Sequence, residues 1–193
     1  LMHWKDYSRS LKPAGIQTKQ TRVASGFSLR EFKIAAMKII REKKHRLPKE
    51  FYIGEKIVSF TMCIKNSDKI FKEECIFIIF RDKLMDVIRQ FSCDAIIYLF
   101  MPDHLHLILE GINNTSNVIK AADMFKQKTG FWFSQNMGYS RWQKDYHDHI
   151  IRNHKDLQNH IYYILNNPVR RGIVSHWKEY QFKGSSVYDF DKW

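Results

Sequence analysis

Tyr98-Leu-Phe-Met-Pro-Asp-His-Leu-His-Leu-Ile-Leu-Glu110 is an apolar run, a turn at Met101-Pro102-Asp103, and a second apolar run that carries His104 and His106. Side chains two apart in an extended strand point to the same face. The two imidazoles therefore aim at one point, while Leu105 between them turns back into a core. A strand that spends two same-face positions on imidazole presents a metal-sized cleft. From the strand alone two readings stand: part of a metal site, or a pair of surface histidines. The Pro102-Asp103 turn joins the two runs as a β-hairpin.

Working outward, residues 56–64 (Lys-Ile-Val-Ser-Phe-Thr-Met-Cys-Ile) are rich in β-branched and aromatic side chains and read as a first strand. Between it and the hairpin, Ile76, Ile79, Phe80, Leu84, Val87, Ile88 and Phe91 recur at three- and four-residue spacing, which predicts a helix over about 72–91. After the hairpin, a helix is expected over about 117–136, ended near Gly138, with Gly130 arguing against an unbroken run. A short strand follows around His149-Ile-Ile151. A third helix is expected over about 156–166, stopped by Pro168. The order β-α-β-β-α-β is the split ferredoxin-like unit. The fold class is α+β, an antiparallel sheet with helices on one face, plus one C-terminal helix.

That last helix carries the second constellation. Leu157, Ile161, Ile164 and Leu165 form a buried side, while Asp156, His160, Tyr163 and Asn167 share another stripe at steps of four, three and four. Tyr162 falls on the neighbouring stripe with Asn159 and Asn166. A tyrosine beside a histidine and an amide on an exposed helix face can act as a nucleophile, given a polarised electrophile or a base to activate its phenol. Both tyrosines can equally be packing residues.

Composition bounds the rest. The chain has 193 residues, 44% hydrophobic, enough for one buried core with an appended segment. No apolar run reaches the roughly 18 residues of a membrane span, and no signal-peptide pattern opens the chain. The three cysteines, Cys63, Cys75 and Cys93, form no CxxC pair. A disulfide framework or zinc knuckle is not expected, and a reducing cytoplasm is. The net charge is +12, and residues 1–50 hold 13 Lys/Arg against 4 Asp/Glu. We read residues 1–50 as a basic N-terminal extension with one helix, capped at Ser28-Leu-Arg-Glu31 and running to about Arg46. Residues 51–193 are the main domain. A basic arm on a nearly balanced domain points to a polyanion partner.

Met101-Pro-Asp-His-Leu-His106, Trp142-Gln143, Asp148-His-Ile-Ile-Arg-Asn153 and Tyr162-Tyr-Ile-Leu-Asn-Asn-Pro-Val169 stand in this order. With Gly172-Ile-Val174 and Phe182-Lys-Gly-Ser-Ser186 they resemble the single-tyrosine HUH transposases of small insertion sequences. The closer likeness is to REP-associated tyrosine transposases. The resemblance implies His104 and His106 as metal ligands, Asn167 in the place of a third ligand that is often Gln, and Tyr163 as nucleophile. It implies Mg²⁺ or Mn²⁺, single-stranded or hairpin DNA as substrate, and action as a monomer or homodimer. It implies strand cleavage and transfer through a 5′-phosphotyrosine. No GxxxxGK[ST] loop is present, as expected of chemistry that needs no nucleotide.

Candidate DNA contacts are Lys120, Lys126 and Lys128, interleaved with Phe125, Phe131, Trp132 and Phe133, together with Arg152, Arg170 and Arg171 around the tyrosine helix. Three other readings compete with this one. A histidine-triad hydrolase needs a further histidine where Ile108 stands. Relaxases and rolling-circle nickases share the HUH strand but generally carry three histidines or several tyrosines. A DNA-binding module with a silent site is the non-enzymatic alternative.

Overall fold

A computed structural model of the protein describes residues 47–139 and 141–193. The helix expected from Ser28 to about Arg46, and with it most of the basic extension, lies outside the described residues.

β1 (Ile57–Cys63), α1 (Glu74–Gln90), β2 (Cys93–Met101), β3 (His104–Gly111), α2 (Val118–Met137) and β4 (His147–Ile151) follow one another as the sequence pattern requires. All pairings are antiparallel, and the spatial order is β4-β1-β3-β2 with β5 (Lys183–Gly184) added at the β2 edge. β5 was not expected, since two residues carry no periodicity. β3 is central, which buries both of its faces and explains its nearly continuous apolar run.

Alternation along the strands separates two cores. Val58, Phe60 and Met62 of β1 and Leu105, Leu107 and Leu109 of β3 meet α1 and α2 through Phe80, Leu84, Phe125 and Phe133. On the other face, Ile108, Leu99 and Met101 meet Leu157, Ile161, Ile164 and Leu165 of α3 (His154–Leu165). α1 and α2 thus share one face, and the tyrosine helix covers part of the other.

A β-bulge sets this up. The β2–β3 register shifts between Ala95 and Ile97, and the consecutive residues Ile96 and Ile97 both join the α3-side core. The extra residue re-phases the strand so that Leu99 and Met101 face α3 while Tyr98 and Phe100 face α1.

One local expectation needs correction. Gly130 does not interrupt α2, which runs unbroken to Gly138 at φ 80°. Gly130 is buried, so tertiary packing outweighs its low helix propensity. The third helix does stop before Pro168, as expected, but a new short helix begins there. α3 ends at Leu165, and Pro168 sits in the first turn of α4 (Asn167–Arg170), where a missing N–H costs nothing within its own helix. Among the described residues no helix is long and apolar enough to cross a membrane.

Candidate functional site

His104 and His106 lie on the α3 side of β3, with Leu105 buried on the opposite side. Both histidines are nearly buried, at 8% and 9% exposure. Their Nε2 atoms converge to 3.0 Å. Two donors bound at about 2.1 Å and at right angles around one small divalent cation are separated by about 3.0 Å, so the pair fits adjacent positions of an octahedral ion.

The far nitrogens are also engaged. His104 Nδ1 lies 2.5 Å from Asp103 Oδ1, and His106 Nδ1 lies 3.2 Å from Thr61 Oγ1. Burial would raise the Asp103 carboxyl, but its hydrogen bond to His104, with the charges of His104 and Arg171, holds it below the usual carboxylate range. An ionised Asp103 accepts from His104 Nδ1–H and leaves His104 Nε2 as a lone pair. Burial pushes the His106 imidazole down to about 3, helped by His104 and Arg171. Burial lowers His104 too, against the pull of Asp103. Both rings are therefore neutral at pH 7.

Thr61 suits either tautomer of His106. Without a cation, His106 Nε2–H donates to His104 and the Thr61 hydroxyl donates to Nδ1. With one, the proton would sit on Nδ1, where Thr61 can accept it, and both Nε2 lone pairs would be available to the cation. Among the described residues no cluster of three or more His, Cys, Asp or Glu side chains is placed to hold a metal. A two-imidazole site therefore needs an amide, substrate or water to complete it.

Asn167 can supply an amide. Its side chain is 8% exposed, and Nδ2 donates to the carbonyls of Tyr163 at 3.0 Å and Ile164 at 3.4 Å. Pro168 has no N–H to offer Ile164, so Asn167 substitutes for it. With Nδ2 committed to the helix end, the carbonyl oxygen Oδ1 is the atom left to ligate.

Tyr163 is 42% exposed on α3, and the Arg170 guanidinium carbon lies 4.7 Å from its ring centre. The next residue, Arg171, reaches Asp103 Oδ2 at 3.6 Å. Two consecutive arginines thus touch the tyrosine on one side and the histidine turn on the other.

The cross-strand register adds a polar row beside the imidazoles. His106 pairs with Thr61, and Thr61 with His147; one step along, Ile108 pairs with Ser59, and Ser59 with His149. His149 in turn stacks on His160 of α3, with ring centres 5.2 Å apart and 8° between planes.

The candidate DNA contacts divide between the two faces. Arg170 and Arg171 are at the site, and the exposed Arg152 sits between β4 and α3. Lys120, Lys126 and Lys128 belong to α2, on the opposite side of the sheet. The Lys126 ammonium donates to the Lys144 carbonyl at 2.7 Å and covers the Tyr146 ring at 5.3 Å. Of the interleaved aromatics, Phe125 and Phe133 are core and Trp132 packs against it, whereas Phe131 is exposed.

Sequence reasoning took Asp103 only as a turn former and passed over Thr61 and the row of His147 and His149. An acidic residue directly before the first histidine was an available signal. Thr61 carried none, because only strand register brings it to His106.

The family model described as IS200-like transposase matches residues 54–167. A protein of Haemophilus influenzae named as a REP-associated tyrosine transposase is 30% identical over 53% of this chain and 65% of its own length. The REP-associated tyrosine transposase of Escherichia coli K12 is 32% identical over 49% of this chain and 54% of its own. The chain therefore spans less than two thirds of these curated relatives. Among solved structures, a REP-associated tyrosine transposase bound to a REP hairpin matches with a TM-score of 0.62 at 23% identity, over 74% of this chain and 82% of that one. That likeness is one of fold.

Proposed function

The chain belongs to the IS200-like transposase family, and on that premise we propose that it cuts and rejoins single-stranded DNA beside a hairpin, with Tyr163 as nucleophile and His104 and His106 as metal ligands. The observation that carries this reading is the 3.0 Å convergence of two neutral imidazole Nε2 atoms on the sheet face covered by the tyrosine helix.

His104, His106 and Asn167 Oδ1 would hold a divalent ion, Mg²⁺ or Mn²⁺, which would supply positive charge to the scissile phosphate. The remaining work falls to side chains of the chain itself. Asp103 and Thr61 fix the two ring orientations. Asn167 secures the carbonyl end of α3 and so the position of Tyr163. Arg170 and Arg171 bring two permanent charges to a phosphate lying between the tyrosine and the histidine turn.

In the chemical step the Tyr163 phenol oxygen attacks phosphorus as its proton leaves. The new O–P bond forms, the P–O3′ bond breaks, and the departing 3′ oxygen takes up a proton. The products are a 5′-phosphotyrosine and a free 3′-OH. One phosphoester replaces another, so a second 3′-OH can reverse the step and join new ends without a nucleotide cofactor.

The hairpin as substrate is supported by the fold shared with a relative solved on a REP hairpin. The test uses a library of hairpin-bearing single-stranded oligonucleotides with Mn²⁺ or Mg²⁺, read as a covalent adduct on a denaturing gel. The adduct should vanish with EDTA and in His104→Ala. DNA binding without an adduct across the library would favour a silent DNA-binding protein instead.

A further inference from the structure

Next to Tyr163 the surface carries an aromatic cluster that the chemistry above does not use. Tyr162 is 54% exposed, Trp193 40% and Tyr188 36%. The Trp193 ring lies 6.2 Å from Tyr162 and 5.5 Å from Tyr188, with interplanar angles of 55° and 62°. Both pairs are tilted or edge-to-face rather than stacked in parallel, so each contact covers only part of a ring face.

The cluster is anchored. Phe190 is buried in the α3-side core and packs edge-on against Trp193 at 5.2 Å. Ser186 ties the segment to β2 through the Ala95 carbonyl and the Asp94 carboxylate, and Ser185 Oγ accepts from the Val187 and Tyr188 amides. Three large rings are thus held in place yet left in water, where apolar surface of this size is unfavourable unless something covers it.

The surroundings are chosen by the same helix face. Residues on the Tyr162 stripe of α3 are Lys155, Asn159 and Asn166, with Gln158 beside them and no carboxylate among these positions. Arg170 lies on the adjoining Tyr163 ring. In the tail, the Asp189 carboxylate beside Tyr188 is paired with the Lys192 ammonium at 2.8 Å. Aromatic faces among amides, cations and a neutralised carboxylate match unpaired nucleobases on a phosphate backbone, rather than an apolar protein surface.

We propose that Tyr162, Tyr188 and Trp193 form a stacking platform for unpaired bases of single-stranded DNA next to the scissile phosphate. The location of the phosphate rests on the reading of Tyr163 given above; the base-binding role of the rings does not. Tyr162 then differs in function from its neighbour: one tyrosine holds a base while the other attacks phosphorus.

The full chain is titrated against fluorescein-labelled dT12 and against an abasic 12-mer of equal charge, by anisotropy at fixed KCl. One stacked base contributes roughly fivefold or more in affinity. Wild type should prefer dT12 by at least about that factor, and Tyr162→Leu, Tyr188→Leu and Trp193→Leu should each reduce the preference while binding the abasic strand unchanged. Tyr162→Leu alters only an exposed helix position, so it stays informative even if a tail variant melts early. A preference for dT12 undiminished in all three, or no preference in wild type, would overturn the platform. Tyr163→Phe separates the two claims. It should keep the base preference while losing the covalent adduct, and a missing adduct in wild type alongside a working platform would count against the nucleophile alone.

Discussion

Arg171 reaches Asp103 across the site, Nη1 to Oδ2 at 3.6 Å, while the other oxygen of the same carboxylate holds His104 Nδ1 at 2.5 Å. One carboxylate therefore links the C-terminal end of α4, the short helix that follows the tyrosine helix, to the orientation of the His104 imidazole. Arg171 is more than half exposed, so its ion pair contributes little to stability. Its effect is on where the two elements meet.

Asp103→Asn should weaken Mn²⁺ binding by roughly 10–100-fold, the usual effect of losing a carboxylate behind a ligating histidine. Isothermal titration reads this directly. Thr61→Val should act in the same direction through His106 Nδ1. Unchanged affinity in both would mean the imidazoles need no partners to hold their rotamers and tautomers.

Asn167→Ala should destabilise the chain even in EDTA. It removes the donor that serves the Tyr163 and Ile164 carbonyls, and Pro168 cannot replace it. A loss of about 1–2 kcal/mol is expected in urea unfolding. Stability equal to wild type in EDTA would leave Asn167 no role at the helix end.

The strand and helix content was legible because apolar periodicity is a local property. The α1 stripe from Ile76 to Phe91, the alternation of Leu105, Leu107 and Leu109, and the cap-to-glycine span of α2 can each be read without a partner. The His-x-His pair was legible for the same reason, since period-two geometry fixes its convergence. What brings α3 over the histidines was not legible. It depends on the bulge at Ile96, which looks like one more isoleucine in an apolar run. Thr61 and Arg171 acquire their partners only through register and a helix break, neither of which leaves a mark on composition. The outcome at Pro168 shows a similar limit: proline forbids continuing one helix but permits starting the next.

Acid should weaken the fold in part through His160. Burial, and then the stacked His149, hold its imidazole below the ordinary value, against an upward pull from Asp156. Below about pH 6.5 the unfolded chain therefore binds more protons there than the folded one, and stability falls as pH drops from 7 to 5. His160→Phe keeps a stacking ring and removes the titration. Its urea midpoints at the two pH values should differ less than those of wild type; an equal difference would assign the effect elsewhere.

Removing residues 1–46 should leave adduct formation intact and reduce DNA affinity, with a shallower dependence on salt. The segment 1–50 carries 13 Lys/Arg against 4 Asp/Glu, and each phosphate that the arm no longer neutralises flattens the slope of log K against log salt by about one. Identical salt slopes for the two forms would show that the arm does not touch DNA.

The most direct measurement is to digest the covalent adduct and locate the nucleotide by mass spectrometry. The account predicts it on Tyr163, with Tyr162→Phe still forming the adduct and Tyr163→Phe forming none. A nucleotide on Tyr162, or an adduct that persists in Tyr163→Phe, would contradict the pairing of this tyrosine with His104 and His106.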